Sequence, residues 1–179
     1  MLNTHDQKPR FMAVRKNALS VFLGIALFVL GFDLWTKAYA VATLQIEGTT
    51  YPVIQHFFSF TLRYNHGAAF SFLYDAGGWQ RWFFAIIAAV MSVVLTVWLT
   101  RVATTKKVES LGLCLILGGA LGNLYDRITL GYVVDFIHWF YQEWHYPHFN
   151  VADMSIFCGA SLLISEAFGW AFLNKRESN

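Results

Sequence analysis

Four separate stretches of this chain are long and apolar enough to cross a lipid bilayer, and no other feature restricts its fold as strongly. A hydrocarbon core about 30 Å thick needs about 20 mostly apolar residues in a helix. The stretches run from about Asn17 to Ala40, Trp79 to Thr100, Val108 to Arg127 and Val151 to Leu173. Backbone groups in lipid must be satisfied within the protein, so each stretch is expected to be a helix. Composition agrees: 13% of the 179 residues are charged and 18% aromatic, against about 25% charged in soluble domains. The first stretch is longer than the apolar part of a cleavable leader, lacks a small-residue cleavage site and ends in Asp33 and Lys37, so it is read as retained.

Orientation follows the distribution of lysine and arginine. Lys8, Arg10, Arg15 and Lys16 precede the first span, Arg101, Lys106 and Lys107 lie between the second and third, and Lys175 and Arg176 follow the fourth. Both termini and the middle loop are therefore expected on the cytoplasmic side, with the other two loops outside. The expected organisation is one membrane domain over residues 1–179, with mobile tails before about Lys16 and after about Asn174. The first outer loop, about residues 42–66, is expected to be β-rich. Phe58 to Tyr64 alternates apolar and polar residues, as a half-buried strand does, and Ala42 to Ile46 and Thr50 to Ile54 are shorter candidate strands. The fold class is thus an all-α, four-helix membrane protein with a small outer sheet between helices one and two.

An ionisable side chain inside a span costs roughly 2.5–3.5 kcal/mol on insertion scales, so each one needs a reason. Asp33, Asp126, Asp135 and Asp153 all fall near the outer ends of spans, while Glu166 lies in the inward half of the fourth, a buried acid of unassigned purpose. Asp33 precedes Lys37 by four residues, the favourable order for an ion pair on a helix. That pair either neutralises itself at the interface or orients neighbouring groups. Asn150 and Asp153 have the spacing of a capping box, which accounts for Asp153 structurally and keeps it charged. Asp135 stands alone among apolar neighbours, with nothing local to satisfy it.

Consecutive antiparallel spans place Asp135 and Asp153 at one depth. Two carboxyls about 3 Å apart share a proton. The charged member then activates water, and the protonated one polarises a carbonyl and protonates the leaving amine. The cap spacing favours Asp153 as the base and Asp135 as the acid. Competing chemistries have little support, since neither H-E-x-x-H nor G-x-S-x-G occurs. His145 and His148 are separated by Tyr146-Pro147, which disfavours a helical metal pair. His138 either tunes Asp135 or packs at the interface, and His56 and His66 are read as surface or interfacial residues. Gly118 and Gly122 have the spacing of a close helix contact. Cys114 and Cys158 are expected toward opposite faces, too far apart for a disulfide. No cofactor, metal or nucleic-acid partner is expected, and no internal repeat is visible.

Four blocks then carry a resemblance: Asp33-Leu34-Trp35-Thr36-Lys37, Tyr64 to Phe72, Gly118 to Arg127 continuing into Gly131 to Phe136, and Phe149 to Asp153. In this order the chain resembles the lipoprotein signal peptidases, the bacterial type II signal peptidases. The tails, second span and middle loop add only hydropathy. The resemblance implies an aspartyl endopeptidase of the bacterial cytoplasmic (inner) membrane, with its active site near the outer, periplasmic face and an outer β-rich cradle. It implies diacylglyceryl-modified prolipoproteins as substrates, cut just before the lipidated cysteine. It assigns the catalytic pair to Asp135 and Asp153, and supporting or substrate-binding roles to Asp33, Lys37, Asn65, Gly67, Asn123, Arg127 and Asn150. His66 receives no role. The chain is expected to be a monomer among membrane lipids. A lipoprotein-binding assembly factor without catalysis, or an ion-coupled carrier, is the alternative.

Overall fold

The computed structural model describes residues 7–67 and 78–177, with side-chain surroundings for 17–67 and 78–169. The Ala68–Phe72 part of the second block lies outside them. Four helices and four strands follow one another: α1 (Gln7–Leu44), β1 (Thr50–Ile54), β2 (Phe58–Asn65), α2 (Trp79–Val102), α3 (Lys107–Thr129), β3 (Val133–Tyr141), β4 (Trp144–His145) and α4 (Val151–Glu177). Each helix contains a stretch apolar and long enough to span a membrane. They match the four expected spans, with α1 beginning almost three turns earlier and α4 ending about one turn later, where tails were expected.

Helix α3 is the centre of the bundle. In its most apolar window 61% of residues are buried, against 11 to 22% in the other three. The outward faces of those three are apolar, as lipid contact requires. Phe28, Phe32, Trp35 and Tyr39 form an exposed stacked ladder along α1. Small residues let α3 approach its neighbours. A Cβ at Gly118 would strike Ala26 and Val29 of α1, one at Gly119 the carbonyl of Ala152 in α4, and one at Gly122 the carboxylate of Asp33. The close contact expected from the Gly118/Gly122 spacing is thus with α1, while Gly119 and Gly112 admit α4. Leu95, Leu99, Leu113, Cys114 and Leu117 fill the space between α2 and α3.

The ends of α1 and α3 lead into one antiparallel sheet, ordered β1-β2-β3-β4. Helix α3 stops at Gly131, whose φ of +91° and amide bond to the Asp126 carbonyl (3.2 Å) form a left-handed helix end that glycine adopts without strain. Arg81 of α2 donates to the free carbonyls of Arg127 and Ile128, both at 2.6 Å. Two sequence expectations need correction. Ala42 to Leu44 are the last residues of α1, not a strand. The helix closes through Gln45, left-handed at φ 60° and bonded to the Val41 carbonyl. The sheet is also not confined to the first loop, because β3 and β4 come from the segment between α3 and α4. Strand β2 pairs along β3, from Phe58 opposite Trp139 to Asn65 opposite Val133, with a register shift between Phe60 and Arg63.

Candidate active site

The polar residues of the four blocks converge where α1, α3, β2, β3 and the start of α4 meet. The anchor is Lys37, 3% exposed. An ammonium has three hydrogens to donate, and three acceptors surround this one: Asp33 Oδ2 at 2.7 Å, Asp126 Oδ2 at 2.9 Å and Asn123 Oδ1 at 2.9 Å. The expected Asp33–Lys37 pair is therefore present, but it is half of a larger cluster linking α1 to α3. Asp33 Oδ1 accepts the Ala152 amide at 2.8 Å, which fixes the first turn of α4. Asp126 Oδ2 also accepts the Val134 amide at 3.1 Å, which fixes the start of β3. Asp126 was grouped with the outer acids but given no role; its fourfold helical spacing to nothing basic left no local signal.

Asn150 and Asp153 form the capping box their spacing implies. The Asp153 amide donates to Asn150 Oδ1 at 2.9 Å, and the Asn150 amide to Asp153 Oδ2 at 3.2 Å. The same Asn150 side chain donates through Nδ2 to Asp135 Oδ1 at 2.8 Å, with longer contacts to the Val134 carbonyl and Asn123 Oδ1, both 3.3 Å. Asn150 thus joins the two aspartates. Asn123 completes the link, donating to Asp153 Oδ1 at 2.8 Å. The cap and the proposed functional role of Asp153 are compatible, because the cap uses one oxygen and Asn123 reaches the other.

Asp135 occupies β3 opposite Arg63 of β2 and is 3% exposed. Asn65 donates to its Oδ2 at 3.1 Å, while Asn65 Oδ1 accepts the Gly67 amide at 3.0 Å. Arg127 spans the opening, donating to the Asn123 carbonyl at 3.3 Å and the Gly67 carbonyl at 3.5 Å, with its guanidinium 5.4 Å from the Phe84 ring. All nine residues assigned from the sequence therefore meet in one network.

Burial, followed by repulsion from Asp153, pushes the Asp135 carboxyl up to about 7, against the opposing hydrogen bonds of Asn65 and Asn150 and the charge of Lys37. The physical cause is plain. Four carboxyls (Asp33, Asp126, Asp135 and Asp153) share two permanent cations, Lys37 and Arg127, in a region with little water. One carboxyl therefore holds a proton most easily, and Asp135 has no salt-bridge partner among the described residues. Asp153 is only half-buried and is the carboxylate more open to an incoming molecule. The arrangement can hold one acid and one base a hydrogen-bonded side chain apart, which suits general acid–base chemistry on a carbonyl compound.

His138 does not turn toward this network. Its hydrogen-bond partners are Ser59 and His145, so packing, not tuning of Asp135, is its role in the sheet. Glu166 is partly buried, with an Oε2 that has no hydrogen-bond partner among the described residues.

Comparison with known proteins identifies the family. The family model described as signal peptidase (SPase) II matches residues 25–169. A lipoprotein signal peptidase of Cellvibrio japonicus is 60% identical over 143 residues, 80% of this chain and 83% of that one. One of Acinetobacter baumannii is 46% identical over 176 residues, 98% of this chain and 96% of that one. A bacterial membrane enzyme solved by the in meso method at 2.3 Å resolution superposes with a TM-score of 0.74 at 35% identity, covering 84% of this chain and 88% of its own. These likenesses favour a peptidase over a carrier or a non-cutting assembly factor. The match covers all four spans and both acid-bearing segments, and the chain belongs to the signal peptidase II family of lipoprotein signal peptidases.

Proposed function

We propose that this chain is an aspartyl endopeptidase that removes signal peptides from diacylglyceryl-modified prolipoproteins, cutting on the amino side of the lipidated cysteine, with Asp135 and Asp153 as its catalytic residues. The observation that carries this reading is that one residue, Asn150, holds both carboxyls, donating to Asp135 through its side-chain Nδ2 and to Asp153 through its backbone amide, and that the Asp135 carboxyl is raised to about 7. Asp153, held in a helix cap and open to the site, removes a proton from water. The resulting hydroxide adds to the scissile carbonyl, while protonated Asp135 donates a hydrogen bond to its oxygen. Collapse of the tetrahedral adduct expels the amine, which takes the proton of Asp135, and the proton that Asp153 gained from water passes to Asp135 to restore the pair. No nucleophilic side chain is needed.

Asn123, Asn150 and Asn65 are positioning residues. They fix the orientation of both carboxyls through hydrogen bonds of 2.8 to 3.1 Å. Asp33 and Lys37 hold the first turn of α4 and the side chain of Asn123. Arg127 and Gly67 form a rim of the site, along which the extended substrate backbone would lie. Lipid anchoring of the substrate restricts its motion to two dimensions and presents the scissile bond at the depth of the dyad, a positioning effect that removes several kcal/mol of barrier. The termini and the α2–α3 loop are cytoplasmic, the dyad and sheet lie at the outer leaflet, and the chain works as a monomer.

The direct test is gel-shift processing of a diacylglyceryl-modified precursor by the purified protein in detergent. Asp135→Asn and Asp153→Asn are each expected to lower the rate by about 10²- to 10⁴-fold, the range of acid–base removal. A variant of either residue that processes the precursor at the normal rate would remove the mechanism.

A further inference from the structure

The sheet carries a second polar site, unrelated to the aspartates. A pocket of about 470 Å³ opens on it, walled by β1, β2, β3, β4 and the segment before α4. Thr50, Ser59 and Thr61 supply hydroxyls to its floor, bonded in a row at 3.0 and 3.1 Å. Ser59 continues to His138 Nδ1 at 3.4 Å, and His138 Nε2 meets His145 Nδ1 at 3.1 Å. His148 stacks on His138 with ring centroids 4.1 Å apart, and its Nε2 is buried without a hydrogen-bond partner among the described residues. Arg63 completes the wall, and no described carboxylate forms a salt bridge with it.

Phe140 and Gly48 form the apolar part of the wall, and its polar part consists of donors and of hydroxyls and imidazoles that can donate or accept. Its titratable or charged members are Arg63, His138, His145 and His148, and no acid lines it. A shared metal ion does not suit this arrangement. A metal lies in the plane of each imidazole that binds it, whereas the His138 and His148 rings are stacked face to face at an interplanar angle of 18°, and the facing nitrogens of His138 and His145, 3.1 Å apart, already bond to each other. An anion suits it better, because an oxyanion accepts from guanidinium, imidazole and hydroxyl at once. Depth narrows the choice. Tyr51, Trp139, Tyr141 and Trp144 project from the same strands, 45 to 65% exposed, and tryptophan and tyrosine concentrate at the level of lipid headgroups.

We propose that this pocket binds a phosphate group, held by Arg63, His148 and the Thr50–Ser59–Thr61 hydroxyls, at the surface of the outer leaflet. Burial and the neighbouring positive charges keep His138 and His148 easier to deprotonate than a free imidazole, His148 down to about 4. A bound phosphate supplies the missing negative charge and reverses that effect. Occupancy therefore strengthens as pH falls through the histidine range, and the sheet is fastened to the membrane surface independently of cleavage at the dyad.

The test uses the full chain with labelled histidine rings, in nanodiscs, followed by NMR titration. Inorganic phosphate is added to discs of phosphate-free glycosyl diacylglycerol, and separate discs contain phosphatidylglycerol without added phosphate. The expected result is displacement of the His138, His145 and His148 ring signals and their titration at higher pH in the phosphatidylglycerol discs. Displacement there identifies a lipid headgroup as the source, and displacement by inorganic phosphate alone identifies a soluble phosphate site. Arg63→Gln is expected to weaken either response about tenfold. His145→Gln, at an exposed β4 position, serves as a second variant if Arg63→Gln fails to fold. Unmoved signals in both arms, or responses equal in wild type and variants, overturn the proposal.

Discussion

Asp135 is the residue whose chemistry is most altered by its surroundings. Its carboxyl is raised to about 7, so in the folded protein it holds its proton more firmly than in the unfolded chain. Its contribution to stability is full below the ordinary carboxylate range near 3.8 and is lost as pH rises through about 7. Asp135→Asn keeps the size of the side chain and removes the charge, at the cost of one of the two amide hydrogen bonds that the carboxyl accepts. It is expected to raise the thermal midpoint in detergent at pH 8, relative to wild type, and to raise it less at pH 5. The same carboxyl gives a second expectation: precursor cleavage falls as pH rises above about 7, where the acid of the pair loses its proton. Lys37 behaves oppositely. Replacing it with alanine leaves two buried carboxylates, Asp33 and Asp126, without their shared cation. Breaking a buried charge cluster typically costs about 3–5 kcal/mol. Lys37→Ala should therefore lower folded yield and melting temperature, and adding Asp126→Asn should restore part of the loss.

Helix α3 is the element that places the rest, and it does so by lacking side chains. Gly119 admits the Ala152 carbonyl of α4 where a Cβ would overlap it, and backbone cannot move aside as a flexible side chain can. Gly119→Val is expected to push the first turn of α4 away, separating Asp153 from Asn123. Measured cleavage should fall by more than the loss of thermal stability accounts for, because a displacement of about 1 Å can cost 10²-fold in rate. The four helices were legible in the sequence, since twenty apolar residues in a row admit few other folds. Strand β2 was legible from its alternation. Strand β3 was not: Val133 to Tyr141 is apolar at nearly every position, and its partner lies some seventy residues earlier in the chain. The last turn of α1 was mistaken for a strand because Ala42 to Ile46 has no helix-stop residue before the left-handed Gln45. For the site, the cap at Asn150 was readable from local spacing. The Lys37–Asp126 and Asn150–Asp135 contacts were not, because both connect separate elements. The resemblance supplied the residues, and the fold supplied their geometry.

At the scale of the whole molecule, sheet and bundle meet at one end only, and Asp33, Asp126, Asp135 and Asp153 lie at that junction. The proposed topology makes a direct expectation. In intact cells, a cysteine replacing exposed Glu143 in the β3–β4 turn should react with a membrane-impermeant thiol reagent, and one replacing exposed Lys107 should not. Reaction at residue 107 alone would invert the orientation. The order of assembly matters as much as the orientation. Asp135 arrives with β3, but its partner Asp153 and the connecting Asn150 belong to the last helix of the chain. On the proposed mechanism, a ribosome-bound or half-inserted chain holds one carboxyl without its mate and so cannot hydrolyse anything nearby. Destructive capacity is switched on only when α4 docks against α3, which spares the membrane a stray protease during biogenesis.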